Sequence, residues 1–317
     1  MKYGLMSYRR SRNFGDQIQS LAAKQFLPSV DEFLDRDFLT ENNSVEEIKL
    51  IMNGWFMAEP QNWPPPSNIK PLLISFHVTH DYGANDKMFS NKAIAFYKKN
   101  GPVGCRDYYT LDLFRSKGID SYYSGCLTLT LQNKYTSLPR TDNVYIMDVL
   151  YKVGGRSHDW LGKFKRNWII KKIIPKNILN SAIHLVQDVP KNSSEIQKFE
   201  IAEETLKKYA TAKLVITSRI HCALPCVALN TPVIFIDGGL EKATDTTRLK
   251  GIVEYFNSYS TDAIASQYRG FISSIFSKNK FNNPLKIDWD NPPQNPQTHL
   301  EVVENLKKTC LDFLQNN

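Results

Sequence analysis

Ala212-Lys213-Leu214-Val215-Ile216-Thr217-Ser218-Arg219-Ile220-His221 is an apolar run that turns polar and then becomes apolar again through Leu229. Leu214–Thr217 reads as a buried strand and His221–Leu229 as the helix behind it. Thr231-Pro232-Val233-Ile234 leads into the next strand, Pro232–Ile236. Strand, turn, helix and strand together make the unit of a parallel sheet covered by helices. In such sheets a ligand sits outside the carboxyl ends of the strands. Arg219 and His221 fall at that end. A guanidinium there can clamp an anion, and an imidazole can move a proton near neutral pH. The same pattern also suits a capped helix with His221 packed in the core.

Upstream, Val144–Asp148 and Ala182–Gln187 read as strands and Glu195–Ala210 as a helix. Downstream, Leu249–Phe256, Asp262–Ser274 and Leu300–Leu314 read as helices, with a loop over Asn279–Gln297. The first half repeats the alternation. Residues 2–7 are a strand, and a helix starting near Gly15–Asp16 carries Ile18, Leu21, Ala22 and Phe26 on one face until Pro28. Strands follow at Leu50–Asn53, Leu72–Phe76, Val103–Cys105 and Tyr122–Ser124, with helices at Lys92–Lys99 and Tyr109–Lys117. Pro60–Pro66 reads as a rigid surface loop. Polar Asn133–Arg140 separates the two series. The expected organisation is therefore α/β, with two Rossmann-like domains, 1–137 and 138–296, facing a cleft. A closing helix over 297–317 would pack back on the first domain.

Four more segments carry candidate chemistry. In Asn13-Phe14-Gly15-Asp16, Gly15 would let backbone N–H groups approach an anion at a helix start, and Asp16 would cap the helix or hold a sugar hydroxyl. A tight turn with a capped helix is the alternative. Arg106 follows a short strand and suits phosphate or carboxylate, while Asp107 would cap the next helix, so a structural role for the two is the alternative. Ser75–Asp81 brings His77, His80 and Asp81 behind a strand, for acceptor binding or acid–base work rather than metal, or else as loop histidines with no role. Gly238 and Gly239, with Lys242, could form an anion-binding nest or a plain loop.

At 317 residues, with 42% hydrophobic and 23% charged side chains, the chain suits two soluble domains. A mean hydropathy of −0.39 and strand-sized apolar runs exclude a membrane-spanning bundle. The net charge of +8 points to anionic partners. Nucleic acid is not among them, because helix-turn-helix, zinc-finger and RNP patterns are lacking. Asp159–Asn180 places Trp160, Leu161, Phe164 and Trp168 on one helical face among lysines. Asp159–Lys176 is thus a candidate contact with an anionic membrane, or else a plain surface helix. Cys105, Cys126, Cys222, Cys226 and Cys310 fit no zinc spacing and read as buried reduced thiols. Met1–Arg12 has no apolar signal core, so a cytoplasmic location is expected.

Taken in order, Asn13–Asp16, Gly104-Cys105-Arg106-Asp107, Ser218–His221 and Thr231–Ile234 resemble the polysaccharide pyruvyl transferase family. Asn53-Gly54-Trp55-Phe56 and Pro71–His77 add to the likeness. The resemblance implies a GT-B-like fold and transfer of the pyruvyl group of phosphoenolpyruvate, a co-substrate, onto a saccharide as a cyclic ketal. It implies no cofactor and no metal. The family's Arg-Leu-His donor motif corresponds to Arg219, Ile220 and His221. An earlier donor arginine corresponds to Arg106, and in some members a donor-site lysine falls near Lys242. Gly238 and Gly239 would join the donor side. Asn13, Gly15, Asp16 and His77 would form the acceptor side, with His221 as general acid and His77 or Asp16 as base. The acceptor could be a lipid-linked saccharide. A glycosyltransferase using a nucleotide sugar is the main alternative, and a non-catalytic sugar- or lipid-binding protein is the third. Oligomeric state has no signal in the sequence.

Overall fold

The computed structural model describes residues 1–132, 134–154, 159–239, 247–268, 270 and 281–315. The first half builds a sheet from β1 (Lys2–Ser7), β2 (Glu32–Asp35), β3 (Ile48–Trp55), β4 (Ile69–His77), β5 (Val103–Cys105) and β6 (Ser121–Tyr123), in the order β2-β1-β3-β4-β5-β6. The second half builds another from β7 (Val144–Met147), β8 (Ile183–Leu185), β9 (Leu214–Thr217), β10 (Val233–Asp237) and β11 (Asn257–Ser260), in the order β11-β10-β9-β7-β8. All these strand pairings are parallel. The expected α/β class is what the chain adopts. Strands such as β9, with all four residues buried, are apolar because helices cover both faces.

The helices start where short polar side chains can satisfy their first N–H groups. Those of the first half are α1 (Gly15–Lys24), α2 (Tyr82–Met88), α3 (Asn91–Asn100) and α4 (Tyr108–Ser116). Ser90 caps α3 and Asp107 caps α4. The second half contributes α5 (Trp160–Ile173), α6 (Lys176–Ser181), α7 (Glu195–Thr211), α8 (Ile220–Ala228) and α9 (Asp262–Ala265), and α10 (Leu300–Gln315) closes the described chain. Ser194 and Gln197 form a reciprocal capping box on α7.

Several expectations need correction. Strands β2 and β11 have no counterpart in the sequence reading, and the helix expected over Leu249–Phe256 is two short 3-10 turns, Thr247–Leu249 and Val253–Tyr255. The proline-rich stretch is not a surface loop. Trp63 is buried, with its ring centroid 5.2 Å from that of Phe56 and 5.5 Å from those of Phe76 and Phe96. Nor does the face expected over residues 159–180 hold together. Trp168 is buried with Ile169 and Ile173, while Trp160 and Leu161 are exposed. Two exposed apolar side chains do not make the stripe a bilayer-resting helix needs.

One hydrophobic core joins the two halves: Leu5, Phe14, Ile18 and Leu127 pack with Val215, Cys222, Leu224 and Leu306. Two further cores are private to each half. Lys49 of β3 donates from Nζ to the Phe313 and Leu314 carbonyls at 3.2 Å, at the end of α10. All five cysteines are buried and unpaired, as expected. Among the described residues no helix is long and apolar enough to cross a membrane.

Strand order reverses between β1 and β3 in the first sheet and between β7 and β9 in the second. Such reversals open crevices at the strand ends.

Candidate functional site

Strands β4 and β5 are neighbours, and their register pairs Phe76 with Cys105. The next residue along each strand is His77 and Arg106. Asp107 then caps α4, its Oδ1 accepting from the Thr110 N–H at 2.9 Å and the Thr110 hydroxyl at 2.8 Å. Its Oδ2 accepts from His77 Nδ1 at 2.6 Å, and Arg106 Nε stands 3.7 Å away. An ionised carboxylate only accepts, so His77 carries its proton on Nδ1 and leaves a lone pair on Nε2.

These groups are buried. Burial would raise the Asp107 carboxyl, but its contact with His77, the Arg106 charge and the Thr110 N–H hold it below the usual range. Burial and the Arg106 charge outweigh the pull of Asp107 on His77 and lower that imidazole to about 4. Arg106 is ordinarily a strong base, and burial lowers it. Its Nε and Nη2 have no hydrogen-bond partner among the described residues. A buried guanidinium with free donors is costly unless something anionic meets it.

The second sheet supplies the facing groups at its own reversal. Asp148 follows β7 with φ 48°, and Arg219 follows β9. Asp148 Oδ2 accepts from Arg219 Nε at 2.9 Å, from Arg219 Nη2 at 2.8 Å and from the Gln187 N–H at 2.9 Å. The Arg219 guanidinium carbon lies 3.7 Å above the centre of the Tyr151 ring, a cation–π contact. Ile220 is buried at the start of α8. His221 has φ −80° and ψ 20°, a kink that interrupts the first turn. It is buried, and its Nε2 has no partner among the described residues. Burial, then the charges of Arg106 and Arg248, then His77 and Arg219, hold it well below the ordinary histidine value. Side chains from both sheets therefore act on this one imidazole.

The loop after β1 locks the halves together beside it. Asn13 Oδ1 accepts from the Gly15 N–H at 3.2 Å and from Gln187 Nε2 at 2.9 Å. The Val189 N–H donates to the Arg12 carbonyl at 2.7 Å. A Cβ on Gly15 would stand 2.2 Å from Gln187 Nε2 and 3.1 Å from the His221 Cβ, so a side chain here would push Gln187 off Asn13 and crowd His221. Asp16 does not cap α1, because Phe14 holds the cap position without a side-chain bond. Its Oδ2 accepts from the Ser11 hydroxyl at 2.6 Å and stands 3.5 Å from Arg36 Nη1. Arg36, buried over the Tyr8 ring, is bound mainly by Asp37.

The other candidates have contacts of their own. Asp81 caps α2, and the His80 ring lies 6.2 Å from that of Tyr109. Among the described residues no His, Cys, Asp and Glu side chains gather as a metal group. Gly238 packs where a Cβ would meet the Thr261 hydroxyl at 2.1 Å, and Gly239 (φ 70°) where it would meet Val153 at 2.5 Å. Both glycines answer to close packing at these contacts. Lys242 lies outside the described residues. Two cavities of about 680 and 340 Å³ are lined by neither Arg106, Arg219 nor His221. Asp148, Arg36 and Arg248 went unrecognised. For Asp148 a signal existed, since an acid ends the strand read at Val144–Asp148.

One consequence is an acid sensitivity. An unfolded histidine titrates near pH 6.5. Below that pH the unfolded chain binds a proton that folded His77 refuses until about pH 4. Stability should therefore fall as pH drops through this window, by about 3 kcal/mol from His77, with His221 adding in the same direction. Urea midpoints at pH 7, 6, 5 and 4.5 check this, and a flat series would contradict it.

The polysaccharide pyruvyl transferase family model matches residues 13–239. No curated protein matches the chain. Among solved structures, an uncharacterized Klebsiella pneumoniae protein is 15% identical, with 78% of this chain and 87% of that one covered and a TM-score of 0.45. The UDP-GlcNAc 2-epimerase of Methanocaldococcus jannaschii, in complex with UDP-GlcNAc and UDP, is 10% identical over 90% and 96%, with a TM-score of 0.43. An Escherichia coli heptosyltransferase with ADP is 12% identical over 79% and 94%, with a TM-score of 0.26. These structural likenesses are too distant to bear on function.

Proposed function

The chain belongs to the polysaccharide pyruvyl transferase family, and from that premise we propose that it moves the pyruvyl group of phosphoenolpyruvate onto two hydroxyls of one sugar, forming a cyclic ketal. The observation that supports this reading is the pairing of Arg106 and His221. They come from different sheets, both are buried, both carry nitrogens without partners, and the charge of the first acts on the second.

Phosphoenolpyruvate has a carboxylate and a phosphate, and guanidinium forks suit both. Arg106 and Arg219 would hold it between the sheets. His221 is neutral as it stands. A ligand with about three negative charges beside it raises its proton affinity, which makes it the acid that protonates the methylene carbon. The adjacent carbon becomes oxocarbenium-like and accepts the first sugar hydroxyl. His77 takes that hydroxyl's proton on Nε2, with Asp107 fixing the tautomer. Asp16 suits this less, because Ser11 and Arg36 already occupy its carboxylate. Phosphate then leaves as the second hydroxyl attacks the same carbon. Of the two hydroxyl protons, one is balanced by the new C–H bond and one departs with phosphate. Arginines can neutralise the leaving group.

Thermal unfolding with phosphoenolpyruvate, and separately with nucleoside diphosphates and nucleotide sugars, tests the donor. A ligand at about 100 times its Kd stabilises the folded state by about 2.7 kcal/mol. Phosphoenolpyruvate should raise the midpoint, and Arg219→Ala should abolish the rise. A rise with a nucleotide alone would replace this reading with glycosyl transfer.

A further inference from the structure

Three guanidinium groups act on His221, and two of them have an acid of their own. Arg106 stands 3.7 Å from Asp107, and Arg219 is held by Asp148 at 2.8 Å. Each pair sums to zero charge, so the acids offset part of the attraction these two guanidinium groups offer an anion. Arg248 differs. Among the described residues it has no ion pair, and its buried Nε has no hydrogen-bond partner.

The backbone explains why Arg248 is there. It sits in the 3-10 turn Thr247–Leu249, which packs against α4, the helix that Asp107 caps. The Tyr108 N–H donates to the Lys250 carbonyl at 3.2 Å, and the Tyr123 hydroxyl donates to the Gly251 carbonyl. Gly251 has φ 84°, and a Cβ there would meet the Tyr108 ring at 2.7 Å. These contacts press residues 247–251 of the second half onto the Arg106–Asp107 turn of the first. Thr247 and Leu249 are buried and supply the packing of the turn. Packing therefore gives no reason for an arginine between them.

We propose that Arg248 is the third anion-binding arginine of this site, the one whose charge no acid among the described residues offsets, and that it takes the phosphate of phosphoenolpyruvate. This rests on the pyruvyl transfer reading for the identity of the ligand, though not for its phosphate. The phosphate carries more charge than the carboxylate, and the carboxylate can be met by an already paired guanidinium through its free edge. Arg248 also lies beyond residue 239, where the family match ends.

The test uses the full chain with Arg248→Ala and Arg248→Lys. Three quantities are read: KM and kcat for phosphoenolpyruvate, the Kd of inorganic phosphate, and the unfolding midpoint without ligand. With Arg248→Ala, KM and the phosphate Kd should each rise about 10- to 100-fold, the span of one charged hydrogen-bonding group. Arg248→Lys should recover part of both. The midpoint without ligand should hold or rise, because an unpaired cation near two others has gone. A lowered midpoint with unchanged KM and Kd would make Arg248 structural and overturn the proposal. So would KM and Kd within twofold of the parent while Arg219→Ala abolishes phosphoenolpyruvate binding. If the parent binds a nucleoside diphosphate but not phosphoenolpyruvate, pyruvyl transfer fails. Arg248 then stands only if Arg248→Ala weakens both phosphate and the diphosphate. If the parent binds neither phosphoenolpyruvate, phosphate nor a diphosphate, both readings fall.

Discussion

His221→Gln is expected to lower kcat for pyruvyl transfer by about 10²- to 10⁴-fold, the usual worth of a positioned proton donor. The Kd of phosphoenolpyruvate should change far less. Glutamine keeps a hydrogen-bonding end near Nε2 but cannot be protonated at working pH. The arginines that would hold the donor stay in place. The effect should therefore appear in kcat and in the loss of the pH profile's basic limb, where an acid gives up its proton, rather than in binding. Single-turnover transfer beside a phosphoenolpyruvate titration separates the two. A kcat within threefold of the parent would remove His221 as the acid and leave His77 to serve both steps. The unfolding midpoint of the variant is the control, since His221 is buried against a tight crossing at Gly15.

Asp107→Ala is expected to cost about 3–5 kcal/mol of stability at pH 7, the range for breaking one side of a buried ion pair. Asp107 is fully buried and accepts from His77, from the Thr110 N–H and from the Thr110 hydroxyl, with Arg106 beside it. Its removal leaves a guanidinium, an imidazole and a helix N-terminus without their common acceptor. Asp107→Asn should cost less, because an amide oxygen can still cap α4 while the charge is lost. Urea unfolding of the two variants gives the ranking. Equal losses would mean that the charge is immaterial and that Asp107 serves only as a cap. Neither variant should keep parental activity, since His77 would no longer be held in the tautomer that leaves Nε2 free.

Most of the fold was legible because its central strands bury both faces. Leu214–Thr217, Val103–Cys105 and Lys2–Ser7 are apolar runs with turn residues at their ends, and the helices between them carry one apolar face and a capping residue. Strands β2 and β11 were missed because they lie at the edges of their sheets. Glu32–Asp35 has one buried residue, Leu34, and Asn257–Ser260 has none. A strand held by backbone bonds along one side needs no apolar pattern. Trp63 and Trp168 failed for the opposite reason. Proline content and neighbouring lysines marked their segments as surface, yet an indole of this size goes wherever a distant aromatic partner can cover it, here Phe56 and Tyr268.

The sequence by itself determined that polar and basic residues stand at strand ends: Asn13 and Asp16, His77, Arg106, Arg219 and His221. Each is a local fact, because strand, turn and helix are written within about ten residues. Only the tertiary structure decided which of them share a charge. That Asp107 holds His77, that Asp148 holds Arg219, and that Arg248 comes to the Arg106 turn with no acid paired to it among the described residues all depend on contacts across tens of residues. Coulomb attraction and hydrogen bonding act through space and leave no period in the chain. A guanidinium looks the same in sequence whether an acid offsets it or not.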